Sequence, residues 1–360
     1  MPAPEHVHAD RRDRLRAMLG ADEPGRTLLV TSLPNVEYLT GFSGSNAVVA
    51  IGPDPAEDRI GTDGRYVDQV AAESPGLPTL IDRDTLRAIV VALGDRPLAV
   101  EGSLSIADLV TVRTNGREPV MVLPLVETLR SVKDEHEQGF LARACAITAQ
   151  AFEALADEMR PGQSERTLAR RLEQLFGEFG ADDRSFETIV GSGPNSAIPH
   201  HQPGERRLEV GDLVVVDAGA LVAGYHADMT RTYVVGTEPE EWQAEIHGLV
   251  EDAQAAATAA YVPLARTPEV DAAARSRVEA AGFGERFDHG LGHGVGLQIH
   301  EAPMIGPRST GTLVADMVIT VEPGVYLPGR GGVRIEDTLV VTDAGPRILT
   351  EAPRGLRVVG

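Results

Sequence analysis

Two acidic residues interrupt the most strand-like runs of this chain. Asp217 closes Leu213-Val-Val-Val216, and Glu322 closes Met317-Val-Ile-Thr-Val321. Acidic side chains are depleted in strands and rarely buried without a partner, so both positions constrain the fold. The two runs also resemble one another. Each opens on an acid (Asp212, Asp316), sets its carboxylate ahead of a glycine (Gly219, Gly324) and turns through further glycines. Each then returns on a second strand bearing another carboxylate, Asp228 in the first and Glu336 in the second. The pattern predicts a pseudo-repeat of two antiparallel hairpins, with helices covering one face of a curved antiparallel sheet. Four carboxylates on paired inner strands would repel one another and raise each other's pKa unless cations sat between them. Two divalent ions would balance that charge.

Residues 289–303 supply nitrogen. His289-Gly-Leu-Gly-His293-Gly-Val-Gly-Leu-Gln-Ile-His300-Glu-Ala-Pro303 holds three histidines and four glycines in fifteen residues. So many glycines predict a backbone that comes close to a ligand. His293 adds a neutral nitrogen to the carboxylates. An oxygen-rich site with a single imidazole suits Mn2+, Co2+ or Zn2+ in five- or six-fold coordination. The HExxH helix of single-zinc proteases is absent. Residues 195–204 form a turn-rich loop ahead of the first hairpin, from which one of His200 and His201 could reach over the site.

At 360 residues the chain is long enough for two domains, taking about 150 residues for each. The texture changes near residue 128. Residues 1–128 alternate apolar runs at 27–30, 47–51 and 98–100 with helical patterns at 11–19 and 84–93, which predicts a small α/β domain with a mixed sheet. Residues 129–360 open on a long amphipathic helix that runs to Arg160 and stops at Pro161-Gly162. Ser164 is placed to cap a second helix with Leu168, Leu172, Leu175 and Phe179 on one face. A third covers 240–260 with Trp242, Ile246, Leu249 and Ala253 inward, and a fourth opens on Thr267-Pro268 and closes at Gly282. The fold class is α+β.

Composition narrows the function classes. A net charge of −21 disfavours nucleic-acid phosphates and anionic membrane surfaces as partners. No apolar run approaches the roughly 18 residues that span a bilayer. Residues 1–19 are polar and charged, without the apolar core of a signal peptide, so the expected location is cytoplasmic. Cys145 is the single cysteine, which excludes a disulfide within the chain, a thiolate metal cluster and a CxxC pair. It lies in an apolar helical stretch and reads as a core residue.

Taken together, these residues resemble the pita-bread metallopeptidases (family M24), and within them the Xaa-Pro aminopeptidase and Xaa-Pro dipeptidase (prolidase) branch. The resemblance rests on Asp217-Ala-Gly with Asp228 eleven residues on, on Leu-Gly-His293-Gly-Val-Gly, on Val-Glu322-Pro-Gly-Val-Tyr and on Gly-Val-Arg334-Ile-Glu336-Asp-Thr. Asn35-Val-Glu-Tyr-Leu-Thr-Gly-Phe and Thr62-Asp-Gly-Arg65-Tyr66 resemble the smaller creatinase/prolidase-like N-terminal domain. The resemblance implies a pita-bread catalytic domain over residues 129–360 and two divalent metal ions per subunit, Mn2+ first, with Co2+ or Zn2+ as alternatives. It implies that Asp217 binds one ion with both oxygens, that Asp228 and Glu336 bridge, and that His293 and Glu322 complete the other. A hydroxide between the ions would attack the carbonyl before proline. His200 would contact the substrate or the tetrahedral intermediate, and His300 would stabilise that intermediate or shuttle protons. His289 and Arg334 would line the site and support its ligands.

Short proline-containing peptides are the expected substrates, and a homodimer or larger homo-oligomer the expected assembly. Dipeptidases need a basic group for the substrate's free carboxylate, and where some members place it this chain has Met304. The expectation therefore leans to an Xaa-Pro aminopeptidase, with the Xaa-Pro dipeptidase as its alternative. The rival from another class is a non-catalytic module that binds peptides or proteins. Such proteins lose metal ligands, and all five positions are filled here.

Overall fold

The computed structural model describes residues 4–360, and the first three residues of the polar N-terminal stretch lie outside the described residues. The chain packs into two units, Met1–Arg130 and Ser131–Gly360. In the first, helices α1 (Glu5–Asp22), α2 (Leu33–Thr40), α3 (Val67–Glu73), α4 (Thr85–Ala92), α5 (Ile106–Thr114) and α6 (Leu125–Ser131) alternate with strands. The strands are β1 (Thr27–Val30), β2 (Ala47–Ile51), β3 (Arg59–Thr62), β4 (Thr79–Ile81), β5 (Leu98–Glu101) and β6 (Val120–Val122). They form one mixed sheet in the order β4-β3-β2-β1-β5-β6. Helix α1 runs past the expected 11–19 at both ends, because its inward face is partly cationic. Arg11 and Arg12 are buried and donate to the carbonyls of Tyr38 and Leu39 at the C-terminal end of α2, where orphan carbonyls favour cations. Asn35 is buried: its Nδ2 donates to Glu101 and Glu127, and its Oδ1 accepts from Arg130.

Glu37, two residues on, is half-buried, and the Arg130 charge offsets its burial only in part. Burial, reinforced by the Glu73 carboxylate, pushes it up to about 7 from an ordinary 4.5. A raised acid stabilises the fold fully below its unfolded pKa, so this contribution is lost as pH rises from about 4.5 through about 7. Glu37→Gln is expected to abolish that loss. At pH 8 the variant should be more stable than wild type by on the order of 2 kcal/mol, and at pH 4 no more stable. Urea unfolding at the two pH values checks this, and an unchanged midpoint at pH 8 would refute it.

The second unit opens with α7 (Glu135–Glu158), started by an Asp134–Glu137 capping box, and α8 (Glu165–Glu178), capped by Ser164. The buried face of α8 is Leu168, Ala169, Leu172, Leu175 and Phe176. Phe179, expected on that face, lies past the last helical turn and is half-buried; Phe176 fills its place. Strands β7 (Asp183–Arg184), β8 (Ile189–Ser192), β9 (Leu213–Ala218), β10 (Ala220–Val222), β11 (Tyr225–His226) and β12 (Met229–Val235) lead to α9 (Glu241–Thr258) and α10 (Thr267–Ala280). The chain finishes with β13 (Gly292–Gly294), β14 (Glu301–Ile305), β15 (Val318–Val321), β16 (Gly324–Leu327), β17 (Gly331–Arg334), β18 (Asp337–Val340), β19 (Arg347–Ile348) and β20 (Arg357–Val359).

The two hairpins expected from the sequence are present as the antiparallel pairs β9–β12 and β15–β18. Each has a further antiparallel strand pair where a plain glycine turn was expected, β10–β11 in the first and β16–β17 in the second. Each pair sits inside a larger sheet, β20-β12-β9-β8 and β14-β13-β15-β18-β19. The two sheets meet at an antiparallel bridge between Thr230 and Glu336. In α9, Ile246, Val250, Ala253 and Ala257 are buried, with Val270, Ala274 and Val278 of α10 beside them. These pack on Leu213, Val234, Ile319, Val321 and Leu339 of the sheets. Trp242 and Leu249, expected inward, are only half-buried at the margin of this core. Cys145 is buried in α7, and burial pushes its thiol well up, as a core residue requires. Among the described residues no helix is long and apolar enough to cross a membrane.

Candidate metal centre

The junction between the two sheets is where the acids gather. Asp217 sits in β9, Asp228 just before β12, Glu322 just after β15, and Glu336 between β17 and β18. Asp217, Asp228 and Glu336 are buried, and each has one carboxylate oxygen without a hydrogen-bond partner (Asp217 Oδ1, Asp228 Oδ1 and Glu336 Oε1). A buried, unpaired carboxylate oxygen is costly, and three together are suited to ligate a cation. Burial, compounded by the charges of Glu336, Asp217 and Glu322, holds Asp228 far above the usual carboxylate range. Glu336 is raised in the same way, by burial and then by Glu322 and Asp217. Burial carries Glu322 up to about 8, against the opposing pull of Arg334.

His293 stands on β13 with its Nε2 3.6 Å from Asp228 Oδ2 and 3.4 Å from Glu322 Oε1. Its Nδ1 donates to the Gly294 carbonyl, which leaves the Nε2 lone pair facing the acids. Burial depresses its pKa to about 4, so it is neutral at pH 7. Ligand atoms of Asp228, His293 and Glu336 all lie within 4.8 Å of one another. The donor set, oxygen-rich with one imidazole, fits a divalent cation.

The glycines around His293 have a different use from the one expected. A Cβ at Gly292 would lie 2.1 Å from the Thr320 carbonyl oxygen, and one at Gly294 2.2 Å from that of Ala302. They let β15 and β14 close on β13, so the close approach is strand to strand.

A cation already on the chain shares the centre. Arg334, in β17, is buried; its Nη2 donates to Asp217 Oδ2, its Nε to Thr230 Oγ1 and its Nη1 to the Tyr326 hydroxyl. Thr230 in turn donates to Glu336 Oε2 at 2.7 Å. The Tyr326 hydroxyl lies 3.0 Å from His289 Nε2. His289 Nδ1 donates to the Gly290 carbonyl, so Nε2 accepts from Tyr326. Arg334, Tyr326 and His289 thus form one polar chain behind the acids. Thr230 escaped the sequence reading, because a threonine in a strand carries no local signal. From sequence, Tyr225 and Tyr326 fit packing at least as well as contact with substrate; Tyr326 instead bonds Arg334 and His289. Tyr225, by contrast, stacks on Phe140 at 5.5 Å, outside the cleft lining.

All nine candidate residues, His200, Asp217, Asp228, His289, His293, His300, Glu322, Arg334 and Glu336, line a single cleft of about 1120 Å³. His200 and His300 are exposed within it, and the His300 ring meets that of His293 edge-on at 4.4 Å. Three arginines also line it. Arg275 is taken up by Asp271 and by the carbonyls of Phe287 and His289, and Arg334 by Asp217. Arg308 is exposed and has no ion-pair partner among the described residues. Arg330 lies elsewhere, with its guanidinium 4.1 Å from the Trp242 ring centroid.

Two hairpins converging on buried carboxylates and one imidazole make a divalent-metal site of the kind metal-dependent hydrolases use. The pattern of Metallopeptidase family M24 matches residues 140–343, and that of the Creatinase/Prolidase N-terminal domain matches residues 11–132. The chain belongs to metallopeptidase family M24. It is 39% identical over 290 residues to the Xaa-Pro dipeptidase of Pyrococcus furiosus, spanning 80% of this chain and 83% of that one. It superposes on the Xaa-Pro dipeptidase from Bacillus anthracis with a TM-score of 0.92 at 33% identity, covering 98% of this chain and 100% of the other. The X-Pro aminopeptidase from Thermotoga maritima superposes with a TM-score of 0.89 at 32% identity, covering 97% and 99%.

Proposed function

We propose that this enzyme is an Xaa-Pro dipeptidase, cleaving the bond between any residue and a C-terminal proline. This corrects the weighting made from sequence, which put the aminopeptidase first. Two things shift it. The relatives above include Xaa-Pro dipeptidases that span most of the chain, and Arg308 supplies the cation that Met304 does not. A dipeptide carries a carboxylate next to its scissile bond, and among the described residues Arg308 is the one cleft-lining guanidinium without an ion pair.

Asp217, Asp228, Glu336, Glu322 and His293 would hold two divalent ions, with Mn2+ the ion proposed and Co2+ or Zn2+ also suited to this donor set. When bound, such ions polarise the scissile carbonyl and lower the pKa of water to give a nucleophile near neutral pH. The chain's own residues do the rest. One buried oxygen each of Asp217, Asp228 and Glu336 is left unpaired, while Arg334 and Thr230 hold the other oxygens of Asp217 and Glu336. Such outer partners orient ligands and tune their basicity. His200 and His300 stand in the cleft, where each can donate a hydrogen bond to a carbonyl oxygen as it gains charge or carry a proton to the departing amine. Burial, with His200 nearby, lowers the His300 pKa, so it is neutral at pH 7. The cytoplasm is the proposed location and a homodimer the proposed assembly.

The deciding assay is hydrolysis of Ala-Pro and Ala-Pro-Ala by protein stripped of metal and reloaded with Mn2+. Preference for the dipeptide supports the proposal; preference for the tripeptide returns the aminopeptidase. If neither is cut with any of the three metals, the Xaa-Pro assignment fails. Arg308→Ala should raise KM for Ala-Pro by about 10- to 100-fold, the loss of a charge-assisted hydrogen bond. It should leave hydrolysis of Ala-Pro amide, which lacks the carboxylate, within a factor of about three. Equal losses on both substrates would remove Arg308 from that role.

A further inference from the structure

His200 reaches the cleft from residues 195–204, which have little regular structure: a short 3-10 turn (Gly193–Ala197) precedes it and no strand continues it. What fixes such a loop is a carboxylate beneath it. Glu165, the first residue of α8, is fully buried and accepts five hydrogen bonds. Its Oε1 takes the Ser192 amide and hydroxyl, both at 2.8 Å, and Asn195 Nδ2 at 2.9 Å. Its Oε2 takes His201 Nε2 at 2.8 Å and the Gly204 amide at 3.1 Å. Backbone bonds from Glu165 to Arg206 and from Arg166 to Gly204 tie down the far end of the segment. Just before His200, the Pro199 carbonyl accepts from Arg334 at 3.4 Å. His200 therefore sits between two restrained neighbours, one bonded to the metal-centre arginine and one to Glu165. A buried carboxylate with five donors is satisfied and rigid, and the five come from both sides of His200.

We propose that Glu165 is a positioning residue: its carboxylate, acting through His201, Asn195 and Gly204, sets the place of His200 over the reacting carbonyl. The inference rests on the Xaa-Pro reading for its activity arm. His201, which follows the substrate-facing histidine, is the link and faces Glu165 instead of the substrate. Glutamine at 165 keeps the shape of the side chain but turns one oxygen into a donor. It then opposes either the two donors on Oε2 or the three on Oε1.

The test is a double-mutant cycle with the metal-reloaded full chain, using Glu165→Gln, His200→Ala and the pair, on Ala-Pro. Glu165→Gln alone should lower kcat/KM by about 10- to 100-fold, the range for lost outer partners of a site. In the His200→Ala background the same change should cost no more than about threefold, because residues that act as a unit are non-additive. Amide hydrogen exchange across residues 192–204 should be faster in Glu165→Gln. An equal loss in both backgrounds would assign Glu165 to the fold or the metal centre instead, and no loss would dismiss it; either overturns the proposal. If Glu165→Gln does not fold, His201→Gln, which removes one bond of the five, is read in the same cycle, with a loss of about threefold or more confined to the His200 background. Should wild type cut no Xaa-Pro peptide, the functional reading fails on its own. The exchange rates then decide: unchanged protection of residues 192–204 refutes the positioning role.

Discussion

Asp228→Asn is expected to abolish hydrolysis and, at the same time, to make the metal-stripped protein more stable than metal-stripped wild type. The two effects have one origin. Asp228 is buried among the charges of Glu336, Asp217 and Glu322, so without a cation its ionised form opposes folding. Asparagine keeps the shape and removes the charge. With the charge goes the cation site: Lewis-acid polarisation contributes several kcal/mol to the barrier, and each 1.4 kcal/mol is about tenfold in rate, so a loss of about 1,000-fold or more is expected. Metal titration followed by thermal unfolding reads both. At 1,000 times Kd, Mn2+ should stabilise wild type by about 4 kcal/mol, on the order of 10 °C in Tm for a unit of this size. Asp228→Asn should start from a higher metal-free Tm and gain little. A variant that still shifts with Mn2+, or that starts lower than wild type, would remove Asp228 from the centre.

Arg334→Met should be the most destabilising single change in the second unit. The guanidinium is buried and donates to Asp217, Thr230 and Tyr326. Removing one member of a buried ion pair leaves the other charge uncompensated, at a cost of about 3–5 kcal/mol. Here the cost is felt by the whole acid cluster, since Arg334 also opposes the upward shifts of Glu322 and Glu336. Arg334→Lys keeps a charge but cannot reach three partners with one ammonium, so it should recover only part of the loss. Urea unfolding of metal-free protein gives the number. If the methionine variant unfolds within about 1 kcal/mol of wild type, the pairing with Asp217 has been misjudged.

The N-terminal unit answers to other measurements. Its Glu37 has no metal to neutralise it, and there the expected sign is a loss of stability towards alkaline pH. The contrast is useful, because a raised carboxylate in the second unit is relieved by metal and the one in the first is not.

The acids were legible in the sequence because each breaks a local rule. A carboxylate at the end of Leu-Val-Val-Val or Met-Val-Ile-Thr-Val is anomalous on its own strand, and its repetition in a second hairpin makes the anomaly a pattern. Two helix starts were equally local: Ser164 as a cap and Pro268 after Thr267 are signals written beside the first turn, and the structure places α8 and α10 there. The sequence by itself therefore determined the two hairpins, their flanking helices and which acids converge.

Tertiary structure decided the rest. Arg334 meets Asp217 across 117 positions, Thr230 meets Glu336 across 106, and Glu165 meets His201 across 36. No periodicity or spacing encodes such pairs: even where one member stands out locally, as Asp217 does, nothing near it in the chain names its partner. The same holds for Arg308, which only the folded cleft distinguishes from Arg275, and for Gly292 and Gly294, whose purpose is the neighbouring strand. Local anomalies record what a residue cannot do alone; the fold records which distant residue makes it possible.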